Sequence, residues 1–137
     1  AEAFLQHDVD TTAVGDPAGL VSTVNRTEFP TSDLEKAKAA MDKTGFAYRT
    51  GLVATGDWFA TDTPRAHWIS DTFHPLLCDM EGGADAQVCL RNGVPFMSIK
   101  SVSDCLFVHD DFFFNFPTAM KDLNCVAMAF IDALEAL

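Results

Sequence analysis

The sequence predicts an α/β fold, and three observations predict it. Short apolar runs at 52–55, 76–78 and 96–102 read as strands, the last of them buried. Segments with helical spacing alternate with them. No internal repeat or low-complexity segment interrupts the alternation. At 137 residues the chain is at most one domain, long enough to bury a real core.

In chain order, residues 1–20 are expected to be extended, with Ala3, Leu5 and Val9 alternating against polar neighbours until Gly15-Asp16-Pro17 turns the chain. Residues 21–31 read as strand or loop. Ser32-Asp33-Leu34-Glu35 has the form of a capping box, in which Ser accepts from the third amide and Glu returns the bond. A helix runs from there to about Lys43, with Leu34, Ala37 or Lys38, and Met41 on its apolar face, and Thr44-Gly45 ends it. Phe46, Tyr48 and then 52–55 form a strand that delivers Gly56-Asp57-Trp58-Phe59 at its carboxyl end. Pro64 suits the first turn of a helix carrying Ala66, Ile69 and Phe73.

The next stretch organises the rest. A strand at 76–78 leads through Asp79-Met80-Glu81 into a helix over 82–91, with Ala84, Val88 and Arg91 on one side and Asn92-Gly93 as its stop. Gly82 and Gly83 cost a helix up to about 1 kcal/mol each against Ala, so close approach of the backbone to another group is expected there. Pro95 then starts a second buried strand through Phe96, Met97, Ile99 and Val102, closed by Ser103-Asp104. Strand, helix, strand places the carboxyl ends of both strands on one edge of a parallel sheet, where ligands bind in open α/β folds. Glu81 leaves the first strand and Asp104 the second, so two carboxylates meet at a crevice, with the loop 56–63 on the same edge. Residues 105–116 read as a loop, rich in Phe around His109-Asp110-Asp111, that either folds over the crevice or packs in the core or a subunit contact. Pro117 opens a last helix with Met120, Leu123, Val126 or Ala127, Phe130 and Leu134 down one face.

Twenty acidic residues against nine basic give a net charge of -11 without a basic patch, which excludes nucleic acid and anionic membrane surfaces as partners. No apolar run reaches the roughly 18 residues of a membrane span. The chain is therefore read as soluble. Cys78, Cys89, Cys105 and Cys125 form no C-x-x-C pair, so neither a zinc knuckle nor a disulfide framework is indicated. They are expected to be small buried hydrophobes in a reducing cytoplasm. In that compartment the sequon Asn25-Arg26-Thr27 has no role.

Three signatures in order resemble the methylthioadenosine/S-adenosylhomocysteine nucleosidases of the purine nucleoside phosphorylase and uridine phosphorylase superfamily. They are Gly51-Leu52-Val53-Ala54-Thr55-Gly56-Asp57 with Phe59, then Asp79-Met80-Glu81-Gly82 running to Ala86-Gln87-Val88-Cys89, then Val94-Pro95-Phe96 with Ile99-Lys100 and Val102-Ser103-Asp104. His7-Asp8-Val9-Asp10 with Thr12-Ala13 and Gly15 also looks like that family. The resemblance implies a three-layer α/β/α sandwich with a mixed central sheet, a single partial domain over 1–137, a small-molecule nucleoside substrate, a homodimer, and a cytoplasmic enzyme of nucleoside metabolism and methionine salvage. It implies no metal and no other cofactor, so His7, Asp8 and Asp10 are read as structural.

Cleaving an N-glycosidic bond requires that the purine leave neutral and that the ribosyl group survive as an oxocarbenium-like species. The resemblance assigns Asp104 as the acid that protonates N7, for which it must carry a proton near neutral pH, as burial or a neighbouring carboxylate favours. Glu81 would accept from the ribose 2′- and 3′-hydroxyls, in bonds about twice as strong as neutral ones. Met80 would pack on the sugar, Phe59 would stack on the base with backbone around Phe59 and Ala60 reading its edge, Ser103 would orient Asp104, and Phe112 or else Phe113 would reach the ligand. Taken alone, Asp104 and Glu81 read as solvated strand-end carboxylates, and Phe59 and Met80 as core. The combined pattern reverses that.

Three positions depart from the family. Lys100 stands where Arg usually supports the nucleophile side, keeping the charge but not the bidentate fork. Asp85 stands where an apolar residue is usual, and Trp58 adds bulk beside Phe59. Only the C-terminal part of the family pattern is matched, and residue 1 is Ala. The general base Glu and the Gly-rich segment with its Ser have no counterpart, so a missing N-terminal portion or a second chain is expected. A phosphorylase with phosphate as nucleophile, and a non-catalytic nucleoside-binding or dimerising remnant, are the alternative readings.

Overall fold

A computed structural model describes residues 1–61, 63–107 and 112–137, with the side chains of 112–114 outside the description. The chain forms two compact units, one of residues 1–32 and 50–98, the other of residues 33–49 and 99–137.

The first unit is built on a mixed sheet of β1 (Ala3–Gln6), β2 (Phe29–Pro30), β3 (Leu52–Thr55) and β4 (Leu77–Asp79), in the order β2-β1-β3-β4. β1 pairs antiparallel with β2 and parallel with β3, and β3 pairs parallel with β4. The register sets Phe4 beside Val53 and Leu5 beside Ala54. Because side chains alternate between faces, these two rows point opposite ways. Phe4, Phe29 and Val53 pack with Ala86 of helix α3 (Gly82–Asn92), while Leu5 and Ala54 pack with Ile69 of helix α2 (Thr63–Phe73). Helices on both faces of a mixed sheet give this unit the three layers that the family resemblance implies.

In the second unit, α1 (Leu34–Thr44) packs against α4 (Phe112–Glu135). α1 buries Ala40 and Met41. Gly45, in the left-handed region at φ 74, ends it, and Thr44 Oγ1 donates to the Met41 carbonyl at 2.7 Å. On α4, Phe130 is buried, and Leu123, Val126, Ala127 and Leu134 are half-buried on the expected stripe, whereas Met120 is exposed.

Several expected elements take another form. β1 is only four residues long; beyond it Asp10 Oδ1 accepts from both N and Oγ1 of Thr12, and this local turn replaces extended chain. Residues 21–31 are mostly turns before the two-residue β2. The capping box does not form: Ser32 Oγ accepts from Phe96 N at 3.0 Å instead, and Asp33, left-handed at φ 52, precedes α1 without a side-chain cap. Phe46 and Tyr48 are exposed outside β3, with Tyr48 Oη donating to Asp42.

The segment 94–105 is not a strand. Pro95 has no N–H to give, Phe96 exchanges bonds with Ser32, and the Ser98 carbonyl takes the Ala1 ammonium, so the segment is anchored at points rather than laddered. Phe96 still packs on Phe4, with ring centroids 5.5 Å apart. α4 begins at Phe112, ahead of Pro117, which lies within it. Among the described residues no cysteine is buried: Cys78, Cys105 and Cys125 are exposed and Cys89 is half-buried. Cys78 sits in the middle of β4, which at the end of the sheet order has β3 as its strand neighbour. No helix among the described residues is long and apolar enough to cross a membrane.

Phe4 is fully buried and touches both the sheet and the 94–98 segment. Phe4→Ala is therefore expected to lower stability by about 3–5 kcal/mol, read as a lower urea midpoint at unchanged slope.

Candidate functional site

The parallel register aligns the carboxyl ends of β1, β3 and β4: Gln6 lies opposite Thr55, and Thr55 opposite Asp79. The residues just past each strand therefore emerge on one edge of the first unit. After β1 come His7 and Asp8, after β3 Gly56 to Phe59, and after β4 Met80 and Glu81. This is the edge on which α/β sheets bind ligands.

The turn from β4 into α3 is held by a side-chain clip. Asp79 Oδ2 accepts from Gly82 N at 3.0 Å, satisfying the first amide of the helix, which has no partner within it. Thr55 Oγ1 accepts from Gly83 N at 2.7 Å and donates to Asp79 Oδ1. The two glycines are required by contact. A Cβ on Gly82 would strike the Phe4 ring and the Asp79 carboxylate, and one on Gly83 would come within 2.8 Å of Thr55 Cβ. With Asp79 capping the helix, Glu81 contributes only its carbonyl, which accepts from Ala84 N and Asp85 N, and its exposed side chain makes no cap bond. Its carboxylate stands at a helix N-terminus, where the macrodipole favours a negative charge.

Met80 and Phe59 are 39% and 54% exposed, unusual for side chains that a core would claim. Ala60 is half-buried beside Phe59. Trp58 turns inward instead: its ring meets the His7 ring edge-on at 6.1 Å, and the Arg65 guanidinium lies 4.8 Å from its centroid. Asp85, which stands where the family usually has an apolar residue, is exposed in the first turn of α3, and its sign suits that helix end.

The second unit carries the other predicted residues. Ser103 Oγ donates to Asp104 Oδ1 at 2.6 Å, and both residues are half-buried, as is Lys100. Val102 is 63% exposed. Phe112 opens α4 but its side chain lies outside the described residues, as do His109, Asp110 and Asp111. The structure thus gathers Phe59, Ala60, Met80 and Glu81 on one edge of the first unit, and pairs Ser103 with Asp104 in the second.

Sequence reasoning read His7 as structural, as the resemblance implies, but missed the Thr55–Asp79 clip. Asp79 was legible as Asp three residues ahead of the first helical amide. Asp8 accepts from Asp57 N at 2.7 Å, Asp10 holds Thr12, and His7 is buried, so the three are engaged separately. Among the described residues no group of three or more His, Cys, Asp or Glu could hold a metal ion.

The Phosphorylase superfamily profile matches residues 1–132. The 5'-methylthioadenosine/S-adenosylhomocysteine nucleosidase of Geobacillus kaustophilus is 38% identical over 110 residues, covering 76% of this chain and 46% of its own length. That of Marinomonas is 36% identical over 107 residues, covering 76% and 46%. The chain thus spans about half the length of these curated relatives. Among solved structures, the Helicobacter pylori 5'-methylthioadenosine/S-adenosylhomocysteine nucleosidase is similar with a TM-score of 0.83 and 25% identity, over 98% of this chain and 58% of that one. Futalosine hydrolase of the same organism is similar with a TM-score of 0.81 and 25% identity, over 99% and 57%.

Thr55→Val keeps the shape but leaves the buried Gly83 N–H without its acceptor. A loss of about 1–3 kcal/mol is expected, with faster amide exchange at Gly83 than at Ala86 as the local signature.

Proposed function

Because this chain belongs to the Phosphorylase superfamily, we propose that it is the C-terminal part of a nucleosidase that hydrolyses the N-glycosidic bond of 5'-methylthioadenosine and S-adenosylhomocysteine. The observation that carries the reading is the arrangement on the first unit's sheet edge: a helix-terminal carboxylate spared from capping, flanked by exposed Met80 and Phe59. The identity to nucleosidases across three quarters of the chain supports it.

In this reading Phe59 stacks on the adenine and backbone at Ala60 reads its edge. Glu81 accepts from the 2′- and 3′-hydroxyls, fixing the sugar and stabilising the positive charge that grows as the bond to C1′ stretches, while Met80 packs on the ribose. Asp104, oriented by the Ser103 hydroxyl, gives its proton to N7, so that the electron pair of the breaking bond leaves with a neutral purine. Water adds to C1′ and loses a proton to a base outside these assignments. Lys100 supports the nucleophile side with a point charge. Phe112 is assigned to ligand contact. The family match runs across both units, which supports treating 1–137 as one partial domain. A homodimer working in the cytoplasm, in methionine salvage, completes the proposal.

The test is adenine release by the intact protein from both nucleosides in phosphate-free buffer. Asp104→Asn is expected to lower kcat by about 10²–10⁴-fold, the range of a general acid. Release that appears only when phosphate is added would make the protein a phosphorylase, and no release under either condition would sink the catalytic reading.

A further inference from the structure

His7 is the buried titratable group that this chemistry does not use. It is 2% exposed, yet neither Nδ1 nor Nε2 has a hydrogen-bond partner among the described residues. Buried polar groups are bonded in the great majority of cases, so this one calls for an explanation. Its surroundings supply one. The His7 amide donates to the Thr55 carbonyl at 2.9 Å, carrying the β1–β3 pairing one residue past the strands. The imidazole then stands so close to Gly56 that a Cβ there would collide with Cε1 and Nε2. Its plane meets the Trp58 ring at 89°. Between these two contacts, Asp8 Oδ2 accepts from Asp57 N at 2.7 Å. Residues 7 and 8 thus grip three consecutive residues, 56 to 58, and the next is Phe59.

We infer that His7 is a positioning residue: an uncharged wedge that, with Asp8, sets the segment 56–58 and through it the placement of Phe59 against the purine. The function of the wedge rests on the proposed role of Phe59. An imidazole differs from an aliphatic wedge in that it can acquire a charge. Burial pushes His7 below its ordinary value of 6.5, and Arg65 from α2 adds to this, while Asp8 beside it and Asp79 from β4 oppose it. As pH falls below 6.5, a His7 released into water takes up a proton before the buried one does, so the closed arrangement loses stability on acidification and regains it as pH rises.

Two readouts on the intact protein test this. In a Trp68→Phe background, Trp58 emission is tracked from about pH 8 to about pH 5. A transition with its midpoint below 6.5 is expected, and it should be lost in His7→Leu. KM for 5'-methylthioadenosine is measured over the same range. It is expected to rise about threefold to tenfold in the wild type as pH falls and to stay flat in His7→Leu. In His7→Ala it should be raised at every pH, with kcat little changed. The same Trp58 transition in His7→Leu as in the wild type, or an unchanged KM in His7→Ala, overturns the proposal. If the variants do not fold, a wild-type Trp58 signal that is flat across the range while far-UV circular dichroism holds steady also overturns it. A normal Trp58 transition in a protein that releases no adenine would refute the enzyme reading and leave the wedge standing.

Discussion

Thr55 Oγ1 is the atom on which the first unit's geometry turns. It donates to Asp79 and accepts from Gly83 N, and so ties the end of β3, the end of β4 and the start of α3 into one rigid joint. A hydroxyl can do both through a single oxygen atom. Because Asp79 is occupied in this joint, accepting from Gly82 N and from the Thr55 hydroxyl, the next acid along, Glu81, is left with its charge at a helix end and no side-chain cap bond. A structural carboxylate two residues upstream thus leaves the Glu81 side chain out of the helix cap.

The same joint explains why glycine is required twice in a row. Helix α3 starts against the sheet at a distance that leaves no room for a side chain, with Phe4 under Gly82 and Thr55 under Gly83. Close approach brings the helix N-terminus to the strand ends, so the positive end of the macrodipole is presented at the sheet edge rather than above it. Ala86, one turn on, is the first side chain that fits, and it enters the core beside Phe4 and Val53.

Much of this was legible in the residues. The alternation of apolar runs with helical spacing located β3, β4, α2 and α3, and the Gly93 stop falls where Asn92-Gly93 placed it, in the left-handed region at φ 66. The strand expected over 96–102 was not there, because an apolar run reports burial while a strand also needs a neighbour to ladder with. Phe96 is drawn to Phe4 without one. The capping box failed for a related reason: Ser32 has the right type and spacing, but its hydroxyl is claimed by an amide 64 residues away. Of the candidate site, Glu81 and Asp104 read by themselves as solvated strand-end carboxylates and took their expected roles from the family resemblance, whereas the Thr55–Asp79 clip and the contacts of His7 with 56–58 join residues from separate strands, and no local window contains them.

The parallel pairing of β1 with β3 matches Ala3 to Leu52, a long separation in sequence, while the antiparallel partner of β1, at Phe29 and Pro30, comes much sooner. Closing the longer loop costs entropy before any contact repays it. The pairing with β2 closes the shorter loop and that with β3 the longer, so the antiparallel ribbon costs less closure entropy than the parallel pairing on the other side of β1.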